Sequence, residues 1–223
     1  MPLNIPKGNM YKFVTHTWNT VKGICPHSCS YCYMKNWGKQ NPIRFDEKEL
    51  RCNLGTGNYI FVGSSNDLFA KDIPSLWIQK TIDHCNAFNN RYLFQTKNPE
   101  RFKEFTLPDN SVVCSTIETN RVYSEIMINS PNPSFRAASM SQIDLSKYVT
   151  IEPILDFDLE EMVELIRKCS PNQVNIGADS GGNHLPEPEK EKVLNLIDEL
   201  KQFTVIEKKT NLGRLLKNRR YSN

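Results

Sequence analysis

Three cysteines crowd one short run, Cys25-Pro26-His27-Ser28-Cys29-Ser30-Tyr31-Cys32-Tyr33, at a C-x3-C-x2-C spacing. Thiols this close together can converge on one inorganic centre, and they are poorly placed to bridge distant parts of a fold as disulfides. An iron-sulfur cube normally takes four thiolates, so a loop that supplies three leaves one iron open to a ligand other than protein. That open iron is where chemistry would happen. The same thiols with His27 or His16 also make a Cys3His set suited to structural zinc, although zinc loops usually present two separated ligand pairs and no second cysteine pair exists here. Cys52, Cys85, Cys114 and Cys169 lie singly along the chain and read as buried structural thiols.

Positioning such a loop requires a scaffold, and the chain supplies a repeating one. Short apolar, β-branched or aromatic runs at residues 12–18, 59–63, 91–96, 111–117, 148–154, 173–177 and 203–207 read as strands, the first six forming the sheet. Stretches of helical period separate them, which is the alternation of βα units. Asn98 before Pro99 predicts an N-cap with proline at the first helical position, and Asp158 with Glu161 predicts a capping box. Leu159, Met162, Val163 and Ile166 share one helical face, as do Val193, Leu194, Ile197 and Leu200 after Pro186 and Pro188.

Such units close into a barrel or lie open as a doubly wound sheet, and in both ligands bind at the strand C-termini. Polar residues gather at those ends: Gly63-Ser64-Ser65-Asn66-Asp67, Gln95-Thr96-Lys97, residues 116–121, Glu152-Pro153 and residues 177–182. The cysteine loop follows the first strand on the same rim. Residues 36–46 and 129–141 are long, polar and proline-bearing, and read either as loops covering a substrate or as plain surface excursions.

The signature Cys25, Cys29, Tyr31, Cys32, with an aromatic before the third cysteine and directly after the first strand, resembles that of the radical SAM superfamily. More narrowly, Thr15-His16-Thr17-Trp18-Asn19 with Thr116-Ile117-Glu118-Thr119-Asn120-Arg121 is similar to a group of short phage and bacterial radical SAM proteins of poorly defined activity. The resemblance implies an α/β fold, a partial (β/α)6 barrel with a short basic C-terminal extension. It implies that Cys25, Cys29 and Cys32 ligate three irons of a 4Fe-4S cluster while S-adenosylmethionine chelates the fourth. Reductive cleavage of that cofactor would give a 5'-deoxyadenosyl radical that abstracts hydrogen from a substrate. By the same resemblance Tyr31 lies near the adenine, and Gly63, Ser64, Ser65 and Asp67 occupy the place of a Gly-Gly-Glu-like loop that receives the methionine amino group, with the acid displaced to Asp67. Ser115, Thr116 and Glu118 match the ribose site, and Glu152 and Asn175 complete the pocket. Reduced flavodoxin or ferredoxin is the implied electron donor.

At 223 residues, 39% hydrophobic and 24% charged, the chain reads as one domain with a core of about residues 11–200. A mean hydropathy of -0.52 and the lack of a long apolar run predict no membrane span, and with no apolar leader at residues 1–10 the expected compartment is cytoplasmic. Near the C-terminus Lys208, Lys209, Arg214, Lys217, Arg219 and Arg220 gather around Leu212, Leu215 and Leu216 beside a single acid, Glu207. Such a cluster suits phosphates, or else a solvated terminal helix. Together these readings favour a nucleotide or nucleic-acid base as substrate, against a small metabolite, a protein radical site, or a non-catalytic zinc module.

Overall fold

The computed structural model describes residues 3–217. Its strands are β1 (His16–Trp18), β2 (Val21–Lys22), β3 (Arg44–Phe45), β4 (Tyr59–Val62), β5 (Arg91–Thr96), β6 (Ser111–Thr116), β7 (Ser146–Ile151), β8 (Gln173–Ile176) and β9 (Val205–Lys208). The α-helices are α1 (Ser75–Asn86), α2 (Ser124–Met127), α3 (Pro133–Ser141), α4 (Leu159–Cys169), α5 (Lys190–Leu200) and α6 (Gly213–Leu216). A short antiparallel pair joins β2 to β3, while the other strands form one parallel sheet in the order β1-β4-β5-β6-β7-β8-β9. β1 and β9 are its two edges and are not bonded to each other, so the barrel is partial.

Parallel strands are buried on both faces, and their side chains alternate between two cores. Ile60, Val62, Tyr92, Phe94, Val113, Val149, Ile151, Val174 and Ile176 face outward into the large core under the helices. There they meet Ile78 and Ile82 of α1, Met140 of α3, Met162 and Ile166 of α4, and Val193, Leu196, Ile197 and Leu200 of α5. The alternate residues Tyr59, Phe61, Leu93, Val112 and Cys114 face inward and pack against Tyr11, Val14, Met10 and Phe13. The segment before β1 thus fills the barrel interior.

Several expectations are corrected here. The first strand is confined to His16–Trp18, because Phe13 and Val14 serve with Met10 and Tyr11 as the interior plug and not as ladder partners. The fifth begins at Ser146 and stops at Ile151, before Glu152-Pro153, since proline has no N–H for the ladder. The run at 203–207 contributes a seventh sheet strand, β9, paired in parallel with β8, so what reads as an extension is built into the barrel. Residues 129–141 are no loop throughout: Pro133 opens α3, whose Arg136, Ala137 and Met140 are buried. The capping box does not form, because the Asp158 carboxylate is taken by Arg121; Asn98 does stand at an N-cap with Pro99 at the first helical position, on the 3-10 turn Pro99–Glu104, but without a side-chain cap bond. On α5 Leu196 replaces the half-exposed Leu194 in the buried face.

Candidate functional site

A cavity of about 1150 Å³ opens at the C-terminal ends of the strands. Cys25, Cys29 and Cys32 all stand on its wall as free thiols, with Tyr31, Gly63, Ser64, Ser65, Asp67, Thr116 and Glu152. Ser115, Glu118 and Asn175 do not line it. Backbone bonds shape the cysteine loop: Ser28 N–H to the Cys25 carbonyl and Cys32 N–H to the Cys29 carbonyl, both 3.2 Å, with Ser28 in the left-handed region at φ 54°. Residues 126–130 brace it from outside. Ser30 N–H reaches the Ile126 carbonyl at 3.0 Å, and the Asn129 amide reaches the Pro26 carbonyl at 3.0 Å. Burial, reinforced by the charge of Asp67, pushes the Cys25 thiol up to about 12, so a metal binding there must displace its proton.

His27, between the first two cysteines, is buried and bonds Asp67 Oδ2 through Nε2 at 2.8 Å. Asp67 also accepts from Thr96 Oγ1 at 2.9 Å, Lys97 N–H at 2.8 Å and Phe69 N–H at 3.0 Å. Burial works to raise its carboxyl, but His27 and these donors outweigh that and hold it low. Asp67 is therefore a bracket between the cysteine loop and the ends of β4 and β5. His16 bonds Thr15 Oγ1 at 3.0 Å. Among the described residues no three His, Cys, Asp or Glu side chains form a ligand group for a single metal ion.

The turn after β4 starts at Gly63, whose φ of 82° suits glycine. Asn19 Oδ1 accepts from Ser65 N–H at 2.9 Å and Ser64 Oγ at 3.3 Å, and Tyr33 donates its hydroxyl to the Ser64 carbonyl at 2.8 Å. Asn66 donates to the Gly23 carbonyl at 2.9 Å, while its buried Oδ1 has no partner. An orphaned acceptor on the cavity wall is costly unless a ligand satisfies it.

Glu118 is fully buried behind the cavity. Its Oε2 accepts from Arg136 Nη1 at 2.6 Å, its Oε1 accepts the Tyr31 hydroxyl, and Lys97 Nζ stands 3.3 Å away. Burial would raise this carboxyl, yet Arg136 and then Lys97 hold it at about 2. Ser115 turns its hydroxyl to the Thr96 carbonyl at 3.2 Å. Only Thr116 of the expected ribose set faces the cavity, accepting from Gln95 Nε2 at 3.0 Å. Asn175 lies inside the barrel, its Oδ1 accepting from Gln173 at 2.8 Å and its buried Nδ2 unpaired.

On another part of the wall, Glu152 collects both ends of the chain. Its Oε1 accepts from Asn9 at 2.6 Å and Asn211 at 2.8 Å, and its Oε2 pairs with Lys209 at 2.5 Å. Lys209 also lies 4.4 Å from the centre of the Tyr11 ring. Gly177 leaves the room this hub needs, since a Cβ there would stand 2.5 Å from Glu152 Oε1 and 2.9 Å from Asn211 Oδ1. Gly177→Ala is expected to destabilise the fold by about 1–3 kcal/mol through this overpacking. Thermal unfolding reads the loss, and an unchanged Tm would contradict the geometry.

This geometry can be set beside known proteins. The chain aligns with the structure of a spore photoproduct lyase double mutant with bound AdoMet and dinucleoside spore photoproduct, at TM-score 0.54 and 13% identity. The match covers 91% of this chain and 66% of that one. The likeness is one of fold, a partial barrel of parallel βα units. No protein-family model matches the chain, and no curated protein matches it.

Arg136 and Asn9 escape a reading of motifs alone, Arg136 because it lies in a segment read as loop. His27 reads there only as a zinc ligand and Lys209 only as part of the basic cluster, and neither reading finds its carboxylate partner. A weak signal exists for Lys97 and Asn66, both in polar clusters at strand ends.

Proposed function

We propose that this chain is a radical SAM enzyme acting on a nucleotide or nucleic-acid base. The observation that carries the reading is that three free thiols from one loop, Cys25, Cys29 and Cys32, all line a cavity at the rim of this partial barrel. The donor set fits a cluster with one open iron, because neither histidine joins it: His27 is bonded to Asp67 and His16 to Thr15. When bound, a 4Fe-4S cluster and S-adenosylmethionine supply reductive sulfonium cleavage to a 5'-deoxyadenosyl radical.

The chain's own residues then bind, orient and exclude water. Asn66 Oδ1, the unpartnered acceptor, is suited to a cofactor ammonium, a role that Asp67 cannot take while four donors occupy its carboxylate. Thr116 and Gln95 offer hydroxyl and amide groups to a ribose. Tyr31, pinned through its hydroxyl by Glu118, holds the cysteine loop to the barrel. A reduced flavodoxin or ferredoxin is the proposed donor of the electron. The base substrate is supported by the neighbour solved with a dinucleoside and by a cavity somewhat larger than the usual range for small-ligand sites.

Anaerobic reconstitution with iron and sulfide tests this reading. A brown protein that releases 5'-deoxyadenosine from S-adenosylmethionine under dithionite is expected, and Asn66→Ala should weaken cofactor binding roughly tenfold, the loss of one hydrogen bond to a charged group. A colourless protein holding one tight zinc would sink the proposal in favour of a zinc-stabilised binding module.

A further inference from the structure

The first acidic residue of this chain is Asp46; before it stand Lys7, Lys12, Lys22, Lys35, Lys39 and Arg44. The remainder carries 22 Lys and Arg against 25 Asp and Glu, so the net charge of +3 is six positive charges in the first 45 residues set against three negative ones elsewhere. That basic stretch contains the cysteine loop and much of the cavity mouth.

Deeper in the cavity both lysines have carboxylate partners. Lys209 pairs with Glu152 and Lys97 with Glu118. At the mouth it is otherwise: Lys7, Lys35 and Lys39 also line the cavity, all three are exposed, and none has a carboxylate partner among the described residues. Ile5, Ile24 and Tyr33 line the same mouth and are 73%, 50% and 49% exposed, unusual for large apolar side chains. The C-terminal cluster is a poorer phosphate site, because Arg214 pairs with Glu187 and Lys209 with Glu152; Arg219 and Arg220 lie outside the described residues.

From this zoning we infer that the cavity mouth is a docking surface for a single-stranded nucleic acid, with phosphates on Lys7, Lys35 and Lys39, a base against Tyr33, and the reacting base inserted among the neutral interior pairs. A strand presents anionic phosphates outside and uncharged polar bases within, the same order of charge as the cavity. An acidic electron-transfer protein would also favour the lysines, but it has no need for them to line a cavity. This inference rests on the radical SAM reading.

Fluorescence anisotropy with labelled single-stranded DNA and RNA oligonucleotides over a salt series tests it, using reconstituted protein. Three phosphate contacts predict that the combined Lys7→Ala, Lys35→Ala and Lys39→Ala variant binds at least about tenfold more weakly at low salt, with the slope of log K against log salt reduced by about 2. Lys39→Glu alone should weaken binding, whereas Lys201→Ala, paired with Asp198 on α5, should not. Iron and sulfide content should match wild type throughout. Equal affinity and slope in the triple variant would overturn the inference, as would a defect confined to reduction by flavodoxin. Wild-type protein that holds no cluster would refute the radical SAM reading; protein that holds one yet binds strands independently of these lysines would refute only the docking surface.

Discussion

Alanine at any one of Cys25, Cys29 or Cys32 is expected to abolish cluster assembly and the release of 5'-deoxyadenosine together. In the proposed cluster three thiolates would hold three irons, and none of the remaining cysteines is placed to substitute. Cys52, Cys85 and Cys169 are buried in the core under the helices and Cys114 among the inward residues of the barrel, away from the cavity wall. Cys169→Ala is the matched control. It removes a buried thiol bonded weakly to the Leu165 carbonyl at 3.5 Å, at a cost of about 1 kcal/mol, and should leave iron content and turnover near wild type. Iron analysis, visible absorbance and product release make the comparison, and full turnover in any loop variant would contradict the assignment.

The largest stability effect is expected at Arg136. Its guanidinium and the Glu118 carboxylate are both 0% exposed, so Arg136→Leu leaves a buried carboxylate with Lys97 as its only cation. Breaking a buried pair from one side costs about 3–5 kcal/mol, whereas replacing both partners with apolar residues costs far less. For a chain of this length the single variant should lose on the order of 10 °C in Tm, and a variant with leucine at both positions should recover most of it. An unchanged Tm for Arg136→Leu would show that the pair does not form.

The same pair sets an acid limit. Glu118 is held at about 2 in the folded state against about 4.3 when unfolded. A depressed carboxyl contributes stability in full above its unfolded value and loses it as pH falls through the folded one. Wild type should therefore weaken steeply between about pH 4.3 and 2, and Glu118→Gln should flatten that part of the profile.

The parts of this structure governed by local pattern were legible in the sequence. The cysteine spacing, the apolar strand runs and the faces of α4 all depend on residues close in the chain, and all seven of the strand runs fall within the sheet. What escaped depends on partners from elsewhere. Glu118 reads as a rim acid until α3 brings Arg136 behind it, 18 residues on. Asp67 reads as an acid free for a ligand until His27 arrives from 40 residues earlier. Residues 12–14 have strand-like alternation, and only the inward ring of Tyr59, Phe61 and Tyr148 shows why Phe13 and Val14 fill a barrel instead.

The hub at Glu152 ties Asn9 to Asn211, residues 202 positions apart in the chain. Such a contact closes a loop that spans nearly all of the described residues, and contacts of this span are slow to form. Until that contact forms, the cavity that Cys25, Cys29 and Cys32 line lacks the part of its wall that Glu152 and Lys209 supply. A chain folding toward this structure therefore shelters its thiols late.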